Sequence, residues 1–508
     1  MNVSQSGNIP HAVVIGSGFG GLAAAIRLGA KGYRVTVLER LDAPGGRAYV
    51  YRQDGFTFDA GPTIITAPFL FEELWALCGR RLADDVEIVP CDPYYRIRFD
   101  DGDSFEYTGD AEAMRQEVLR ISPDDLAGYE RFLAFTKDVY EVGFDELVHK
   151  PFHTLASMAK VVPDLLRLKA YRSVYGLVSS FVRSEKLRQV LSFHPLLVGG
   201  NPTSTSAIYA LIAHLERAHG VHFAMGGTGA LVRGMTALIE GQGGIVRCDA
   251  EVSRILVEND RAAGVELASG ERVAADIVVS NADSAHTYLH MLPDRPKRRW
   301  TPAKVRRTAS SMSLFVWYFG TDRRYEDVPH HMILLGPRYQ ALLADIFDRK
   351  HLADDFSLYL HRPTATDASL APDGCDAFYV LSPVPHLEGG TDWETHAETY
   401  RRAIEAELAR TVLPDLDAHV VTSRTMTPVD FRDRLLSYRG AGFGFEPVLL
   451  QSAWFRPHNV SEELAGLYLV GAGTHPGAGL PGVLSSAKVV EAVVPPAADF
   501  VTGRTLAG

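Results

Sequence analysis

Close to its start the sequence runs Gly16-Ser17-Gly18-Phe19-Gly20-Gly21, a GxGxxG spacing that leaves its surroundings little choice of fold. It follows a short apolar run, His11 to Ile15, that reads as a buried parallel strand. It precedes Leu22 to Ala30, rich in alanine and leucine, which reads as a helix ended by Gly32. Arg34 to Leu38 is the next strand, and Glu39 stands at its end, eighteen residues after Gly21. Strand, turn, helix and acid-tipped second strand together predict a dinucleotide-binding unit. Gly16 permits the turn, Gly18 leaves room for a pyrophosphate, and Gly21 lets the helix lie close on its strand. The helix N-terminus offers N–H groups and roughly half a positive charge to phosphates. Glu39 is placed to accept hydrogen bonds from ribose hydroxyls.

Two further segments bear on the same site. Gly45-Gly46-Arg47 comes soon after Glu39, and an arginine there can meet a pyrophosphate or the far side of the cofactor with its two-pronged guanidinium. Asp59-Ala60-Gly61-Pro62 follows the strand Phe56 to Phe58 and reads as a tight turn near the ligand. At the other end, Gly477, Gly479 and Gly482 repeat the GxGxxG spacing inside Gly471 to Gly482. This second match does not directly follow its strand, Leu467 to Val470. Pro481 interrupts it, no acid-bearing strand succeeds it, and the next helix is expected near Ser485. It therefore reads as a loop and helix start that close over the first site, with no NAD site of its own.

The length of 508 residues exceeds one simple domain and fits an interleaved pair. The boundaries expected are 1–119 for a first cofactor-binding segment, 120–224 for a helical region and 225–295 for a second cofactor-binding segment. A substrate domain is expected over 296–440 and a closing cofactor-binding segment over 441–508. Gly226 to Gly229 opens a helix that Gly243-Gly244 closes. The strands Val252 to Val257 and Ala263 to Leu267 flank an Asn259-Asp260 turn, and Asp276 to Ser280 reads as a buried strand. Strands are also expected at Ser313 to Phe319 and Phe378 to Leu381. The net charge of −11 argues against nucleic acid as a partner. Four scattered cysteines suggest neither a disulfide framework nor a metal cluster and point to a reducing compartment. The N-terminal MNVSQSGNIPH lacks the pattern of a signal peptide. The uncharged stretch Leu467 to Ala487 holds five glycines and two prolines, too many for a helix in lipid.

The glycine motif, Glu39, Gly45-Gly46-Arg47 and the C-terminal glycine loop resemble the GDI/amine-oxidase class of FAD flavoproteins. Within it, PGGRAYVY (44–51), FTFDAGPT (56–63), FHPLLVGGNP (193–202), GGTGALV (226–232), QSAWFRPHN (451–459) and LYLVGAGTHPGAGLPG (467–482) are similar to the bacterial-type carotenoid desaturases. The resemblance implies an α/β fold: a Rossmann-type FAD-binding domain with a parallel sheet, interleaved with a mixed α+β substrate domain and a helical membrane-facing region. It implies FAD, held by Gly16, Gly18, Phe19, Gly20, Gly21, Glu39, Arg40, Gly45, Gly46, Arg47, Gly61, Pro62, Thr63, Val252, Gly473, Pro481, Gly482 and Val483. It implies removal of hydrogen from CH2–CH2 units of a linear C40 precursor, phytoene, to give neurosporene or lycopene. Oxygen or a membrane quinone would reoxidise the flavin. No base is assigned by the sequence; His361, Glu446 and His475 are the titratable residues in family-like segments. Two other readings use the same framework: another oxidoreductase of the amine-oxidase class, or a non-catalytic GDI-like isoprenoid-binding protein.

Exposing about forty hydrocarbon carbons to water would cost on the order of 30 kcal/mol, so such a substrate is taken from a bilayer. With no spanning helix the expected place is cytoplasmic, peripheral to the inner face of a membrane. Val148 to Phe193 is the candidate surface, with Lys150, Lys160, Arg167, Lys169, Arg172, Arg183, Lys186 and Arg188 against Asp164 and Glu185. The basic residues interleave with Val161, Leu165, Leu168, Tyr171, Val174, Tyr175, Leu177 and Phe181. Arg295 to Arg307, with Trp300, is a weaker second basic run.

Overall fold

A computed structural model describes residues 9–292 and 295–500. The N-terminal stretch read for a signal peptide lies largely outside them. Five parallel strands form the first sheet, in the order Leu467–Leu469, Ile277–Ser280, His11–Ile15, Arg34–Leu38, Ile245–Arg247. Its strands come from three distant stretches of chain. Side chains alternate across it, as a strand requires. Ala12 and Val14 pack with the helices Phe19–Ala30, Thr228–Gly241 and Leu480–Val493 on one face. Val13 and Ile15 pack on the other face with an antiparallel sheet of Val252–Glu258, Arg261–Leu267 and Arg272–Ala274. The first two of those strands turn at Asn259 and Asp260, which adopt φ of 46° and 63°, the left-handed pair that a two-residue hairpin needs.

The second large sheet is mixed. Its order is Val420–Met426, Ser313–Thr321, Asp376–Val384, Leu358–His361, His331–Leu334, Tyr95–Arg98, Ser104–Tyr107. The first 119 residues thus contribute to both sheets. Residues between Ala111 and His219 are mostly helical, and His222–Ala224 then pairs with Ile88–Pro90. Among the described residues no helix is long and apolar enough to cross a membrane. All four cysteines are free.

One sequence expectation is corrected at the C-terminal helix. It starts at Leu480, five residues before Ser485, with Gly479 as its N-cap and Pro481 in its first turn. Proline is tolerated there because the first-turn N–H groups have no intrahelical acceptor. The early helix likewise starts at Phe19, before Leu22.

Candidate active site

A cavity of about 540 Å³ lies between the two large sheets and the helical region. One end is built from backbone. Gly16, at φ 87°, turns the chain off its strand, and Gly18 caps the following helix without a side chain. A Cβ on Gly21 would come within 2.1 Å of the Gly16 carbonyl oxygen, so only glycine lets the helix settle there. The second glycine segment repeats this contact. A Cβ on Gly482 would lie 2.5 Å from the Gly477 oxygen, and that helix too begins at an uncapped glycine. Both helix starts line the same cavity, so shared glycine spacing has produced two walls of one site.

Most of the residues expected to hold a cofactor line this end: Gly16, Gly18, Phe19, Gly20, Glu39, Arg40, Gly45, Gly46, Arg47, Gly61, Pro62, Thr63, Val252, Pro481, Gly482 and Val483. Gly21 and Gly473 stand behind the wall, where Gly21 packs on Gly16 and Gly473 on Ser284. The Glu39 carboxylate accepts from the Ser17 N–H at 2.9 Å, the Ser17 hydroxyl at 2.6 Å and the Leu41 N–H at 3.0 Å. These bonds fix its direction and leave lone pairs for a ligand.

Arg47 departs from the expected two-pronged grip. Its Nε donates to the Gly442 carbonyl at 2.8 Å and its Nη2 to the Ser437 hydroxyl at 2.9 Å. Nη1 and the second N–H of Nη2 are the donors left for a ligand. Burial lowers its pKa and raises that of Asp283, while the attraction between the two opposes both shifts.

Toward the helical region the wall becomes apolar, with Phe144, Val148, Phe152, Leu196, Ile208 and Leu314 among its side chains. The helix Leu155–Arg167 covers this end, and none of its residues is buried. Met158, Val161 and Leu165 line the cavity, while Leu155, Val162 and Leu166 are exposed, Leu155 by 66% and Leu166 by 61%. The wall is one helix thick and apolar on both sides.

The basic stretch proposed from the sequence is narrower in the fold. Lys186 pairs with Asp101 and Asp103, and Arg188 lies beside Glu185. Leu168, Val174 and Leu177 are core. Lys150, Lys160, Arg167, Arg172 and Arg183 stay exposed around the covering helix. In the second basic run Trp300 is buried against Phe445, and the backbone N–H groups of Arg298, Arg299 and Trp300 donate to Glu463, so that run is largely structural.

Of the three titratable candidates only His475 reaches the cavity. Neither of its ring nitrogens makes a well-aligned hydrogen bond, though the Leu147 and Val148 carbonyls lie close. Burial holds its pKa down at about 3, although the Leu147 and Val148 carbonyls favour the charged form. His361 is 1% exposed and hydrogen-bonded to His330 behind the wall. Glu446 accepts from the Ser204 hydroxyl away from the cavity, and burial raises its pKa.

The sequence pointed to Thr63 but not to the two phenols that meet it in the cavity wall, Tyr359 and Tyr379. Thr63 Oγ1 lies 2.7 Å from the Tyr379 hydroxyl and 3.2 Å from that of Tyr359, and all three residues line the cavity. Tyr359 in turn meets His331 Nδ1 at 2.7 Å. Cys91, His330 and His331 bring ligand atoms within 4.8 Å of one another. Both ring nitrogens of His330 are already engaged, by Thr366 and His361. No spacing in the sequence links these positions; the register of the mixed sheet does, with His331 opposite His361 and Tyr359 opposite Leu381. The His330-His331 doublet before an apolar run was the only available signal.

A family model for flavin containing amine oxidoreductases matches residues 19–490. The chain is 50% identical, over 98% of its length and 96% of the relative's, to a neurosporene-forming phytoene desaturase of Cereibacter sphaeroides. It is 48% identical, over 94% of its length and 97% of the relative's, to a lycopene-forming phytoene desaturase of Pantoea ananas. Among solved structures, putrescine oxidase with putrescine bound aligns with a TM-score of 0.63 at 16% identity, covering 97% of this chain and 99% of that one. Cyclohexylamine oxidase from Brevibacterium oxydans aligns with a TM-score of 0.61 at 15% identity, covering 98% and 100%.

Proposed function

The chain belongs to the flavin-containing amine oxidoreductase family, in its phytoene desaturase branch, and from that premise we propose how its cavity serves the reaction. It is an FAD-dependent oxidoreductase acting on CH–CH bonds, a carotenoid desaturase that converts phytoene to neurosporene or lycopene. FAD, when bound, supplies the hydride acceptor. The glycine-lined end fits it: two uncapped helix starts and Arg47 Nη1 for the pyrophosphate, Glu39 for a ribose, and Gly18 where a side chain would intrude. The apolar end takes the polyene, shields it from water and lays its allylic carbons against the flavin end. Its residues supply distance and orientation.

One observation carries this reading. The dinucleotide end and the apolar end belong to a single cavity, and Glu216, the carboxylate of the apolar end, is fully covered. An amine would enter as a cation and be met by a facing carboxylate; a hydrocarbon needs none. The substrate comes from the inner face of a membrane, on which the protein lies peripherally through the helix Leu155–Arg167. Exposed Leu155 and Leu166 enter the interface, and Lys150, Lys160 and Arg172 meet anionic headgroups. Oxygen or a lipid-dissolved quinone reoxidises the flavin. Incubation of the FAD-loaded protein with phytoene in liposomes tests the reading. Absorption bands of a longer conjugated system should appear in the extract, and their positions count the double bonds formed. An unchanged spectrum beside a fully loaded flavin would overturn it.

A further inference from the structure

Resting on the desaturase reading, we propose that Tyr359 is the proton acceptor of the reaction and that His331, behind it, takes up the phenolic proton. A hydrocarbon presents no polar atom to recognise, so hydroxyls in the wall of an apolar cavity call for another role. Tyr359, Tyr379 and Thr63 form that group. Its position is telling. A Cβ on Gly61 would fall 2.1 Å from the Arg47 carbonyl oxygen, so the turn carrying Thr63 backs directly onto the dinucleotide end. The hydroxyls therefore stand where the two ends of the cavity meet.

Geometry gives the proton its direction. Tyr359 is partly exposed to the cavity, and its hydroxyl lies 2.7 Å from His331 Nδ1, closer than the 3.2 Å to Thr63. On the other side of the imidazole, Nε2 lies 3.8 Å from Cys91 Sγ. Burial pushes the Cys91 thiol up to about 12, so the sulfur stays neutral and can accept weakly from an Nε2–H. A neutral His331 that carries its proton on Nε2 then offers the Nδ1 lone pair to the Tyr359 hydroxyl. The Tyr379 hydroxyl meets Thr63 and Tyr359 and bonds to no imidazole nitrogen among the described residues, so it reaches His331 only through Tyr359. Of the two phenols Tyr359 is thus the one with an outlet.

The step balances. One substrate carbon gives up hydrogen with its electron pair to the flavin oxidant. The adjacent carbon gives up a proton to Tyr359 Oη as the phenolic proton passes to His331 Nδ1. The electron pair of that second C–H bond becomes the new double bond; the substrate is oxidised and the flavin reduced. Tyr359 ends neutral and His331 ends as imidazolium. Burial holds His331 well below the usual imidazole range, so it takes a proton only from a strong acid and gives it up again between turnovers. A carbon next to a polyene cation is a strong acid, so a weak base suffices. Tyr359 is the catalytic residue here, and His331 is a positioning residue that works through it.

Two variants and one spectroscopic measurement test this, all on the full-length FAD-loaded protein. Tyr359→Phe should keep its flavin and melting temperature while phytoene desaturation in liposomes falls about 100-fold or more. His331→Asn can still accept from Tyr359 but cannot take up a proton, and should lose a similar amount. In protein labelled with nitrogen-15 at histidine, the His331 signals, assigned by their loss in His331→Asn, should report an Nε2–H tautomer with a hydrogen-bonded, unprotonated Nδ1. An Nδ1–H tautomer would overturn the inference, because nothing would then accept the phenolic proton. So would a Tyr359→Phe rate within about threefold of the parent. If Tyr359→Phe fails to hold flavin, the tautomer and the His331→Asn rate decide in its place. A parent protein that makes no polyene overturns the desaturase reading and this inference with it. A parent that does, beside an equally active Tyr359→Phe, overturns this inference alone.

Discussion

The two ends of the cavity are made in different ways. The dinucleotide end is backbone held against backbone: Gly21 on the Gly16 carbonyl, Gly482 on the Gly477 carbonyl, Gly61 on the Arg47 carbonyl. The apolar end is closed by side chains and by one helix, Leu155–Arg167, of which no residue is buried. Backbone contacts cannot relax without moving a strand or a helix. A helix whose inward residues Met158, Val161 and Leu165 are only half-buried can lift at smaller cost than a core helix. The glycine-lined end is accordingly rigid, and the apolar end is the part that can open.

This contrast can be broken in order of expected effect. Gly21→Ala drives a Cβ into the Gly16 carbonyl at the core of the first sheet. It should cost about 4 kcal/mol or more and leave little soluble protein, read by expression and thermal melting. Gly18→Val acts differently. Its backbone, at φ −63°, accepts a side chain, and its nearest neighbour is the amide end of Asn281. The variant should fold within about 1 kcal/mol of the parent yet lose FAD, seen as missing absorbance near about 450 nm. A Gly18→Val protein that keeps its flavin would show that the glycine end is not the pyrophosphate site.

His475 lies in the second glycine segment, between the two ends, and gives that segment a pH dependence. Unfolded it titrates near 6.5, and folded it is held at about 3 by burial. Between those values the unfolded chain binds the extra proton. The stabilisation is therefore complete above 6.5 and is lost as the pH falls toward 3. At pH 5 the loss is about 2 kcal/mol, and His475→Asn should remove about that much of the acid sensitivity measured by denaturant melts. Identical acid sensitivity in the variant would mean that His475 is hydrated rather than buried.

The smallest effects belong to the thin wall. Leu166→Asp should change stability by no more than about 0.5 kcal/mol. It should nonetheless weaken liposome binding by about 2 kcal/mol, roughly thirtyfold, in co-sedimentation. Lys160→Gln should weaken binding to anionic liposomes by about 1 kcal/mol at low salt, and the difference should vanish as salt rises. If neither variant alters co-sedimentation, the docking face is elsewhere.

The rigid end is the end that could be read from the sequence. Strand, turn, helix and Glu39 are consecutive, and positive φ or close approach demands glycine at fixed spacings, so the requirement is written locally. Two details escaped. Pro481 looked like a helix breaker and is a first-turn residue. Arg47 looked like a free fork and spends two nitrogens on Gly442 and Ser437, partners nearly 400 residues away in the chain. The apolar end was legible only as a surplus of basic and apolar residues, and five of these sixteen, Leu168, Val174, Leu177, Lys186 and Arg188, serve the core or internal ion pairs. The Thr63, Tyr359 and His331 contacts were not legible at all. They arise where strands distant in sequence come into register, and no local pattern records that.

One cavity is built to bring FAD and a C40 hydrocarbon together. Anaerobic mixing of the FAD-loaded protein with phytoene liposomes measures this most directly, with both chromophores followed in one spectrum. The account predicts bleaching of the flavin band near about 450 nm, with one new double bond formed in the polyene for each flavin reduced. A flavin that stays oxidised with phytoene present, yet bleaches on addition of a soluble amine, would contradict it.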